Sequence, residues 1–446
     1  MSWLVDSFKT YNDSISVIFK GKEYSYNELY NQIDSYYSII SSNIEKGSTV
    51  AILSDYSFYS ISLFFALYKN RNIIVPITTN VDSEINDRIE VANCDYTISI
   101  QENNLNIVAS QPTSEKHYLI KSLVDNGRSG LILFSSGSTG KPKAMIHDLD
   151  NLIDSYKNKK GKKLVFMIFL MFDHIGGLNT LLNCLSMGVK MVFPEERDPE
   201  HVSQLIEKYS VNILPSSPTF LNLILISEAY KRYDLSSIRM ITYGTEPMPD
   251  SLLLKLKEVF PRVKFLQTFG TSETGISQTS SKSSTSTYIK IDDPNTEVKI
   301  VEGELWMRSK TQIMGYINSS MERFTEDGWF KTGDLVEQTE DGYIKIIGRN
   351  KEIINVGGEK VLPSEVESVL FQMPGIKDCI VYPENNPITG QMVVAKILFE
   401  EEIKPSVAKK QVANFCKDKL ERYKIPAKVV IMKESEFSDR FKKKRI

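Results

Sequence analysis

Short apolar runs alternate with segments of helical character along the first half of the chain. Residues 50–54 and 73–76 have the composition of buried strands, and residues 57–69 between them predict an apolar-rich helix. The alternation resumes with helices predicted at 148–157, 177–187 and 201–209, and with strands predicted at 164–170, 190–193 and 211–215. This order is typical of α/β folds, in which helices cover a mostly parallel sheet. We therefore expect layered α/β subdomains, with two doubly wound sheets.

The pattern changes beyond residue 277. A Ser/Thr/Lys-rich stretch precedes alternating strand patterns at 298–301, 304–307 and 343–347, which predict a small β-rich subdomain. A break at 348–351 is followed by mixed strand and helix patterns, typical of a compact α+β module. The sequence thus predicts a large N-terminal domain of residues 1–349 and a small C-terminal domain of residues 350–446.

Composition excludes several classes of protein. The chain has 446 residues and a net charge of -2, so it offers no long-range attraction for nucleic acid or anionic membranes. The longest apolar run, residues 164–172, is about half of the roughly 20 residues that a membrane span needs. The start of the chain lacks the pattern of a signal peptide. Its four cysteines lie far apart, as expected of free thiols in a reducing cytosol, and we predict a cytoplasmic protein without a membrane span.

A loop rich in small residues follows the apolar run 131–134. It consists of Ser135, Ser136, Gly137, Ser138, Thr139 and Gly140, and Lys141, Pro142 and Lys143 come next. Small side chains let backbone N–H groups approach an anion, and lysines neutralise its charge, so the composition favours phosphate binding. The Walker A pattern does not fit, because Ser135 stands where it needs glycine and Pro142 where it needs a hydroxyl. A solvated loop that binds nothing has the same composition.

Two further segments combine residue types suited to a nucleotide. Residues 267–273, QTFGTSE, place an aromatic ring, a glycine, hydroxyls and one carboxylate at a strand end. One carboxylate suffices for Mg²⁺, which takes phosphate and water as its other ligands. Residues 329–334, WFKTGD, place Asp334 after a glycine turn, where it could hold ribose hydroxyls. Each segment alone is also compatible with an ordinary polar loop or turn.

Taken in order, six segments resemble the adenylate-forming acyl- and aryl-CoA synthetase superfamily, which includes peptide-synthetase adenylation domains and luciferase. They are SSGSTGKPK, YGTEP, QTFGTSE, GELWMRS, GWFKTGD and GRNKEIINVGGEKVLPSEVE. The resemblance spans nearly the whole chain. It implies an ATP-dependent ligase whose small C-terminal domain is mobile and rotates about Lys351.

The resemblance also implies roles for individual residues. Ser135 to Gly140 and Lys143 would wrap the β and γ phosphates of ATP, and residues 136–139 are expected to be poorly ordered without nucleotide. Ser272 would bind phosphate, and Glu273 would hold magnesium. The remaining nucleotide contacts are Gly244, Thr245 and Glu246 in the turn that lines the adenine pocket, Phe269 against the base, and Asp334 and Arg349 at the ribose.

The superfamily's catalytic lysine lies near the C-terminus in a pattern like T-x-x-G-K-x-x-R. Residues 438–445 read SDRFKKKR, which selects Lys442 and places Phe441 where the pattern has glycine. A cation is needed there because a carboxylate must approach an anionic α-phosphate, and their repulsion peaks in the transition state. Lys443 and Lys444 adjoin the chosen position, and a solvated basic tail is the alternative interpretation.

Acid and thiol sites are implied less specifically. Gly357 and Gly358 would line the approach of a pantetheine arm, whereas Asn355 stands where some CoA ligases have lysine. His174 in FDHIGGL would close the carboxylate side of the acid pocket. Asp173 could hold an amino group, as in peptide-synthetase adenylation domains, but a helix cap or a solvent-facing carboxylate is the more ordinary role.

The predicted reaction is the activation of a carboxylic acid to an acyl-AMP with pyrophosphate release, followed by transfer to a thiol. The thiol is CoA by default, and a carrier-protein phosphopantetheine is the close alternative. Two other classes remain open. A phosphotransferase would release ADP, and a catalytically inactive nucleotide-binding homologue is suggested by Phe441 and Asn355.

Overall fold

A computed structural model describes residues 3–110, 115–135, 142–438 and 440–443. Within them the helices are α1 (Trp3–Tyr11), α2 (Tyr26–Asn43), α3 (Phe58–Lys69), α4 (Asp82–Ala92), α5 (Tyr118–Asp125), α6 (Leu149–Asp154), α7 (Ile175–Met187), α8 (Pro199–Tyr209), α9 (Pro218–Ser227), α10 (Ala229–Arg232), α11 (Asp250–Val259), α12 (Pro363–Leu370) and α13 (Pro405–Cys416).

The strands fall into two groups along the chain. The first comprises β1 (Ile15–Phe19), β2 (Lys22–Ser25), β3 (Thr49–Leu53), β4 (Ile73–Ile77), β5 (Tyr96–Gln101), β6 (Asn104–Ala109), β7 (Gly130–Ser135), β8 (Lys143–Asp148), β9 (Val165–Met167), β10 (Lys190–Phe193), β11 (Ile213–Ser216), β12 (Met240–Tyr243) and β13 (Lys264–Gln267). The second comprises β14 (Phe269–Thr271), β15 (Gly275–Ser277), β16 (Thr279–Ser281), β17 (Ile289–Ile291), β18 (Thr296–Val301), β19 (Glu304–Ser309), β20 (Gly315–Tyr316), β21 (Phe330–Gln338), β22 (Ile344–Arg349), β23 (Ile354–Val356), β24 (Glu359–Val361), β25 (Ile376–Asn386), β26 (Gly390–Phe399) and β27 (Lys428–Ile431).

Two seven-stranded sheets form the large N-terminal part. One has the order β13-β12-β11-β9-β10-β1-β2 and is parallel except for the β1–β2 hairpin. The other has the order β20-β8-β7-β4-β3-β5-β6, with a parallel centre and antiparallel edges. Helices α7, α8, α9 and α11 connect successive strands of the first sheet, as parallel pairing requires. The two sheets confirm the predicted doubly wound layers.

The largest core lies between the two sheets. It includes Val17 and Met191 from the first sheet and Val50 and Leu131 from the second. Helix α3 contributes from all sides, since ten of its twelve residues are buried, and a helix that is apolar all round is stable only when enclosed. Helix α2 is capped at its N-terminus by Ser25, which forms a capping box with Glu28.

The β-rich subdomain is a six-stranded antiparallel sheet of order β16-β17-β22-β21-β19-β18. Strand β20 follows β19 in sequence but pairs with β8 of the second seven-stranded sheet. This excursion places Tyr316 opposite Met145 of β8 and close to Lys143.

The C-terminal module is a mixed sheet of order β24-β23-β26-β25, with β27 beside β26. Its separate core includes Val366 of α12, Val381 of β25 and Val412 of α13. The six-stranded sheet ends at Arg349 and this sheet begins at Ile354. The change of sheet agrees with a domain boundary near residue 349, although the exact division stays a prediction.

One predicted strand proves shorter than expected. Pairing confines the strand expected at 164–170 to Val165–Met167. The four cysteines are buried free thiols, as predicted. Among the described helices, none combines the length and apolarity needed to cross a membrane.

Candidate active site

A polar crevice lies where β11, β12 and β13 end. The carboxyl ends of parallel strands share one edge of a sheet, which is where ligands bind in open α/β folds. The first turn of α7, the β-rich subdomain and the C-terminal tail close the crevice. Its lining includes Ser135, His174, Gly244, Thr245, Ser272, Glu273, Arg323, Arg349, Lys351, Arg440 and Lys442.

Glu273 is buried and held by two side chains that the sequence did not single out. The Tyr316 hydroxyl donates to Glu273 Oε1 at 2.9 Å, and Arg323 Nη1 lies 3.8 Å from the same oxygen. Lys143 Nζ lies 5.8 Å from the centre of the Tyr316 ring. Among the described residues no hydrogen bond is made to Glu273 Oε2, so that oxygen is available to a ligand.

A single carboxylate, that of Glu273, fits a magnesium ion whose other ligands come from substrate and water. Within the described ranges no cluster of three or more His, Cys, Asp or Glu side chains could hold a metal. Mg²⁺ prefers few carboxylates and completes its shell with phosphate oxygens and water. Glu273 would be its protein ligand.

Asp334 and Arg349 are paired directly across strands β21 and β22. The Arg349 Nε donates to Asp334 Oδ1 at 2.8 Å, and the antiparallel register places the two residues opposite each other. Burial raises the pKa of the Asp334 carboxyl, while the Arg349 guanidinium opposes that shift and favours the ionised form. The predicted ribose pair is therefore assembled before any ligand arrives.

The turn after β12 is shaped by close approach of the backbone. A side chain at Gly244 would lie 2.7 Å from the Thr268 hydroxyl oxygen, so only glycine fits. Thr245 follows with φ +74° and lines the crevice. Glu246, in contrast, accepts from the Thr219 backbone N–H at 2.8 Å and from that of Lys443 at 3.3 Å. Glu246 thus joins α9 to the C-terminal tail.

Phe269 and Ser272 occupy different positions relative to the crevice. Ser272 is part of the lining. The Phe269 ring is buried in the core of the β-rich subdomain with Ile289 and Met307, and Thr268 and Gly270 line the crevice on either side of it. The role of Phe269 against the adenine base stays a prediction.

The tail places Lys442 and Lys443 in different surroundings. Lys442 lines the crevice, where burial, Arg349 and Arg440 lower its pKa to about 8. The Lys443 ammonium turns toward the C-terminal module, donating to the Cys379 carbonyl at 2.8 Å and lying 3.3 Å from Glu367 Oε2. Both side chains therefore contact protein and are not those of a solvated tail, whereas the register that selects Lys442 as the catalytic lysine stays a prediction. Lys444 lies outside the described residues.

His174 begins helix α7 and faces the crevice. Its Nδ1 accepts from the Gly176 backbone N–H at 3.1 Å. Burial, with Lys442 and Arg440 nearby, holds its pKa well below the usual range. The ring is therefore neutral at physiological pH with its proton on Nε2, which can donate to a substrate carboxylate. Gly177 lets the helix start against the Met171 carbonyl, since a Cβ there would lie 2.0 Å from that oxygen.

Asp173 is neither a helix cap nor exposed, so the ordinary role expected for it is wrong. It is buried and accepts from Arg88 at 3.1 Å and from Arg440 at 3.3 Å. His174 takes the capping position. Asp173 therefore links the N-terminal part to the C-terminal tail.

Gly357 and Gly358 form the exposed turn between β23 and β24. Both have positive φ, +61° and +95°, as expected of a tight hairpin turn. Neither lines the crevice in this arrangement of the domains. The predicted phosphate-loop residues Ser136, Gly137, Ser138, Thr139 and Gly140 lie outside the described residues, as does the expected disorder of 136–139.

Comparison with protein families decides the affiliation. The model for AMP-binding enzymes matches residues 4–317, and that for the AMP-binding enzyme C-terminal domain matches residues 365–442. The chain belongs to the AMP-binding enzymes. The predicted family is thereby confirmed.

Curated relatives of this AMP-binding enzyme are CoA ligases. A probable CoA ligase of Humulus lupulus is 28% identical over 85% of this chain and 79% of its own length. A 2-succinylbenzoate–CoA ligase of Listeria monocytogenes is 24% identical over 97% of this chain and 95% of its own. A 4-coumarate–CoA ligase of Narcissus pseudonarcissus is 30% identical, but the match covers only 63% of this chain and 58% of that protein.

Solved structures confirm the predicted fold. An anthranilate CoA ligase in complex with anthranoyl-AMP superposes with a TM-score of 0.81 at 19% identity, covering 98% of this chain and 94% of that one. The o-succinylbenzoate CoA synthetase of Bacillus subtilis, in complex with ATP and magnesium ion, has a TM-score of 0.77 at 20% identity, covering 100% and 98%. Together with the family match, these relatives support the predicted class, an AMP-forming acid–thiol ligase that uses ATP, Mg²⁺ and CoA.

The first prediction separates the adjacent lysines. Lys442→Ala should lower acid-dependent exchange of labelled pyrophosphate into ATP by about a thousandfold, because a charge acting in the transition state is lost. ATP affinity, measured by calorimetry, should change by no more than a few fold. Lys443→Ala is the matched control and should lower thermal stability while leaving exchange nearly intact. The opposite ranking of exchange rates would show that the register is wrong.

The second prediction concerns pH. The lowered pKa of Lys442 means that its cation is lost as pH rises through about 8. The kcat/KM for acyl-AMP formation, which reports the free enzyme, should therefore fall above that pH. Lys442→Arg should move the alkaline limb upward, since arginine stays protonated. If the alkaline limb of the kcat/KM profile is unchanged in Lys442→Arg, the group that titrates there is a different residue.

The third prediction tests the metal ligand. Glu273→Gln should raise the magnesium concentration for half-maximal activity by about tenfold, since a neutral amide binds the cation poorly. The exposed Glu322→Gln is the control and should leave the magnesium titration unchanged. Identical titration curves for wild type and Glu273→Gln would remove Glu273 from the metal site.

Proposed function

We propose that this protein activates a carboxylic acid with ATP to an acyl-AMP, releases pyrophosphate, and then transfers the acyl group to CoA. The observation that carries the proposal is the position of Lys442. A cation from the C-terminal tail lies in the same crevice as Glu273 and Arg349, and Arg349 pairs with the buried Asp334. This arrangement supports the proposal, because it combines groups suited to metal, ribose and reacting phosphate.

In the first half-reaction the acid's carboxylate attacks the α-phosphate of ATP. The neutral His174 would donate from Nε2 to one carboxylate oxygen and orient the other toward phosphorus. Lys442 would bridge the two anions and stabilise the charge that accumulates on the pentavalent phosphorus. A magnesium ion held by Glu273 would neutralise phosphate charge. The Asp334 carboxylate would accept from ribose hydroxyls.

In the second half-reaction a thiolate attacks the acyl carbonyl, and AMP leaves. Lys442 occupies the crevice in the described arrangement, so the thiol must enter after the C-terminal module turns away. We propose Lys351, a crevice residue between β22 and β23, as the pivot. The exposed Gly357–Gly358 turn would then lie beside the pantetheine arm, where the lack of side chains leaves room.

CoA is favoured as the acceptor because the curated relatives are CoA ligases. A carrier-protein phosphopantetheine presents the same thiol and remains the alternative. Lys442 lies in the crevice even though Phe441 stands where the family pattern has glycine. This position opposes the alternative of a catalytically inactive homologue. A phosphotransferase would release ADP rather than AMP, which the product assay below distinguishes.

The proposed acid pocket extends from the crevice along α7, and its lining combines apolar side chains, such as Ile175 and Leu266, with polar ones. A second cavity shares seven lining residues with the crevice, among them Asn179, Thr180 and Thr268, so the two form one continuous space. The Tyr156 hydroxyl donates to Asn179 at 2.7 Å. The far end is lined by Asn183, Gln278 and the lysines Lys159, Lys160 and Lys162. We propose an acid that carries a polar or anionic group at its far end.

We also propose a cytoplasmic location. Four buried thiols without disulfides suit a reducing compartment.

The fourth prediction tests the reaction and the acid class together. The enzyme, ATP, Mg²⁺ and a panel of aromatic, aliphatic, dicarboxylic and amino acids are assayed for pyrophosphate exchange, and CoA is added afterwards. We expect AMP and pyrophosphate as products, with kcat/KM at least about tenfold higher for acids bearing a second polar group than for apolar acids of equal length.

Lys442→Ala provides the matched blank for that assay. Release of ADP would identify a phosphotransferase. Acid-dependent exchange without thioester formation on CoA would favour a carrier-protein acceptor. A preference for apolar acids would contradict the proposed acid class while leaving the reaction intact.

A further inference from the structure

The tail reverses direction between Ser438 and Lys442. The Ser438 backbone N–H donates to the Lys442 carbonyl at 2.9 Å, and the Phe441 N–H donates to the Ser438 carbonyl at 2.8 Å. Phe441 closes this turn with φ +50°. A left-handed residue at this place in a short hairpin is ordinarily glycine, and a bulky side chain there is strained.

The Phe441 ring occupies an aromatic recess formed by the rings of Phe169 and Phe220, beside the first seven-stranded sheet. Its centre lies 5.1 Å from that of Phe169 and 5.2 Å from that of Phe220, the latter edge to face. Phe437 stacks on the outer face of the ring at 5.2 Å. The recess belongs to the second core of the N-terminal part, so the ring joins the tail to a domain other than its own.

Polar contacts hold the backbone on both sides of the ring. The Ser217 hydroxyl, which also caps α9, donates to the Phe441 carbonyl at 2.8 Å. Arg440 pairs with the buried Asp173, and the Lys443 N–H donates to Glu246. These contacts surround the residue that precedes Lys442.

We propose that Phe441 is the positioning residue that docks the tail and holds Lys442 in the crevice. Arg440 and Lys442 flank the ring in sequence, and both line the crevice while Phe441 packs into the recess. The partly buried ring offsets the strain of its own backbone by packing on the aromatic recess, a contact that a glycine at this position could not make. The docked arrangement is thereby favoured, and the ring must leave its recess before the C-terminal module can turn. The inference rests on the proposed function for its catalytic consequence, but docking itself is independent of activity.

The fifth prediction uses three variants of the full-length enzyme. Phe441→Gly removes both the ring and the strain, Phe441→Ala removes the ring alone, and Phe441→Leu keeps apolar bulk. Hydrogen exchange of the tail amides at 440–443 should speed up by about tenfold or more in the glycine and alanine variants, and the leucine variant should retain most of the protection. Unchanged exchange in Phe441→Gly overturns the proposal.

Activity measurements then separate positioning from general damage. Acyl-AMP formation in Phe441→Gly should fall by about tenfold, while thioester formation from prepared acyl-AMP and CoA should be unchanged or faster. The alkaline limb of acyl-AMP formation should move upward, because a loosely held Lys442 is better solvated. Equal losses in both half-reactions, with an unmoved alkaline limb, contradict the positioning role. A wild-type enzyme inactive with every acid would refute the proposed function, whereas hydrogen exchange would still decide the docking.

Discussion

The arrangement of the crevice depends on holding a third cation, Lys442, close to Arg349 and Arg440. Lys442 approaches Arg349 and Arg440, and burial with this repulsion lowers its pKa to about 8. A flexible tail would not adopt that position by electrostatics alone. It is held by residues that do not line the crevice: Asp173 pairs with Arg440, Glu246 accepts from the backbone N–H of Lys443, and Phe169 and Phe220 pack against Phe441. The free energy of these contacts thus keeps the Lys442 cation in the crevice, where it would stabilise the anionic transition state of the proposed reaction.

The strained turn at Phe441 shows how backbone strain and side-chain packing oppose each other in the tail. A non-glycine residue in the left-handed region costs about 1–2 kcal/mol, whereas burying a large apolar side chain gains about 1.5–3 kcal/mol. Phe441 combines the two effects, and its ring is partly buried in the docked arrangement, so docking offsets part of the strain in the turn. A glycine would make the turn easier in every position of the domain. Phenylalanine in place of glycine at position 441 therefore couples the backbone conformation of the tail to the position of the C-terminal module.

The nucleotide side of the crevice is built by strand pairing. Antiparallel register between β21 and β22 places Arg349 opposite Asp334, so this pair, proposed to bind the ribose, needs no loop rearrangement. Pairing of β20 with β8 brings Tyr316 against Glu273. Each carboxylate is thus oriented by a partner on a rigid element before substrate binds, and little ordering is left for the moment of reaction.

The sequence by itself determined the α/β class, the order of the motifs, and the identity of Lys442, Glu273 and Asp334 as candidate residues. The α/β class follows from strand and helix periodicities, and the suitability of Glu273 and Asp334 for a nucleotide follows from local composition. The choice of Lys442 follows from the resemblance to the adenylate-forming superfamily. Only the tertiary structure decided that Tyr316 and Arg323 hold Glu273, that Asp173 pairs with the tail, and that the ring at 441 docks between Phe169 and Phe220. Such pairs join segments more than forty residues apart, and in the tail more than two hundred. No local pattern encodes them, since each exists only after separate sheets and domains have packed against one another.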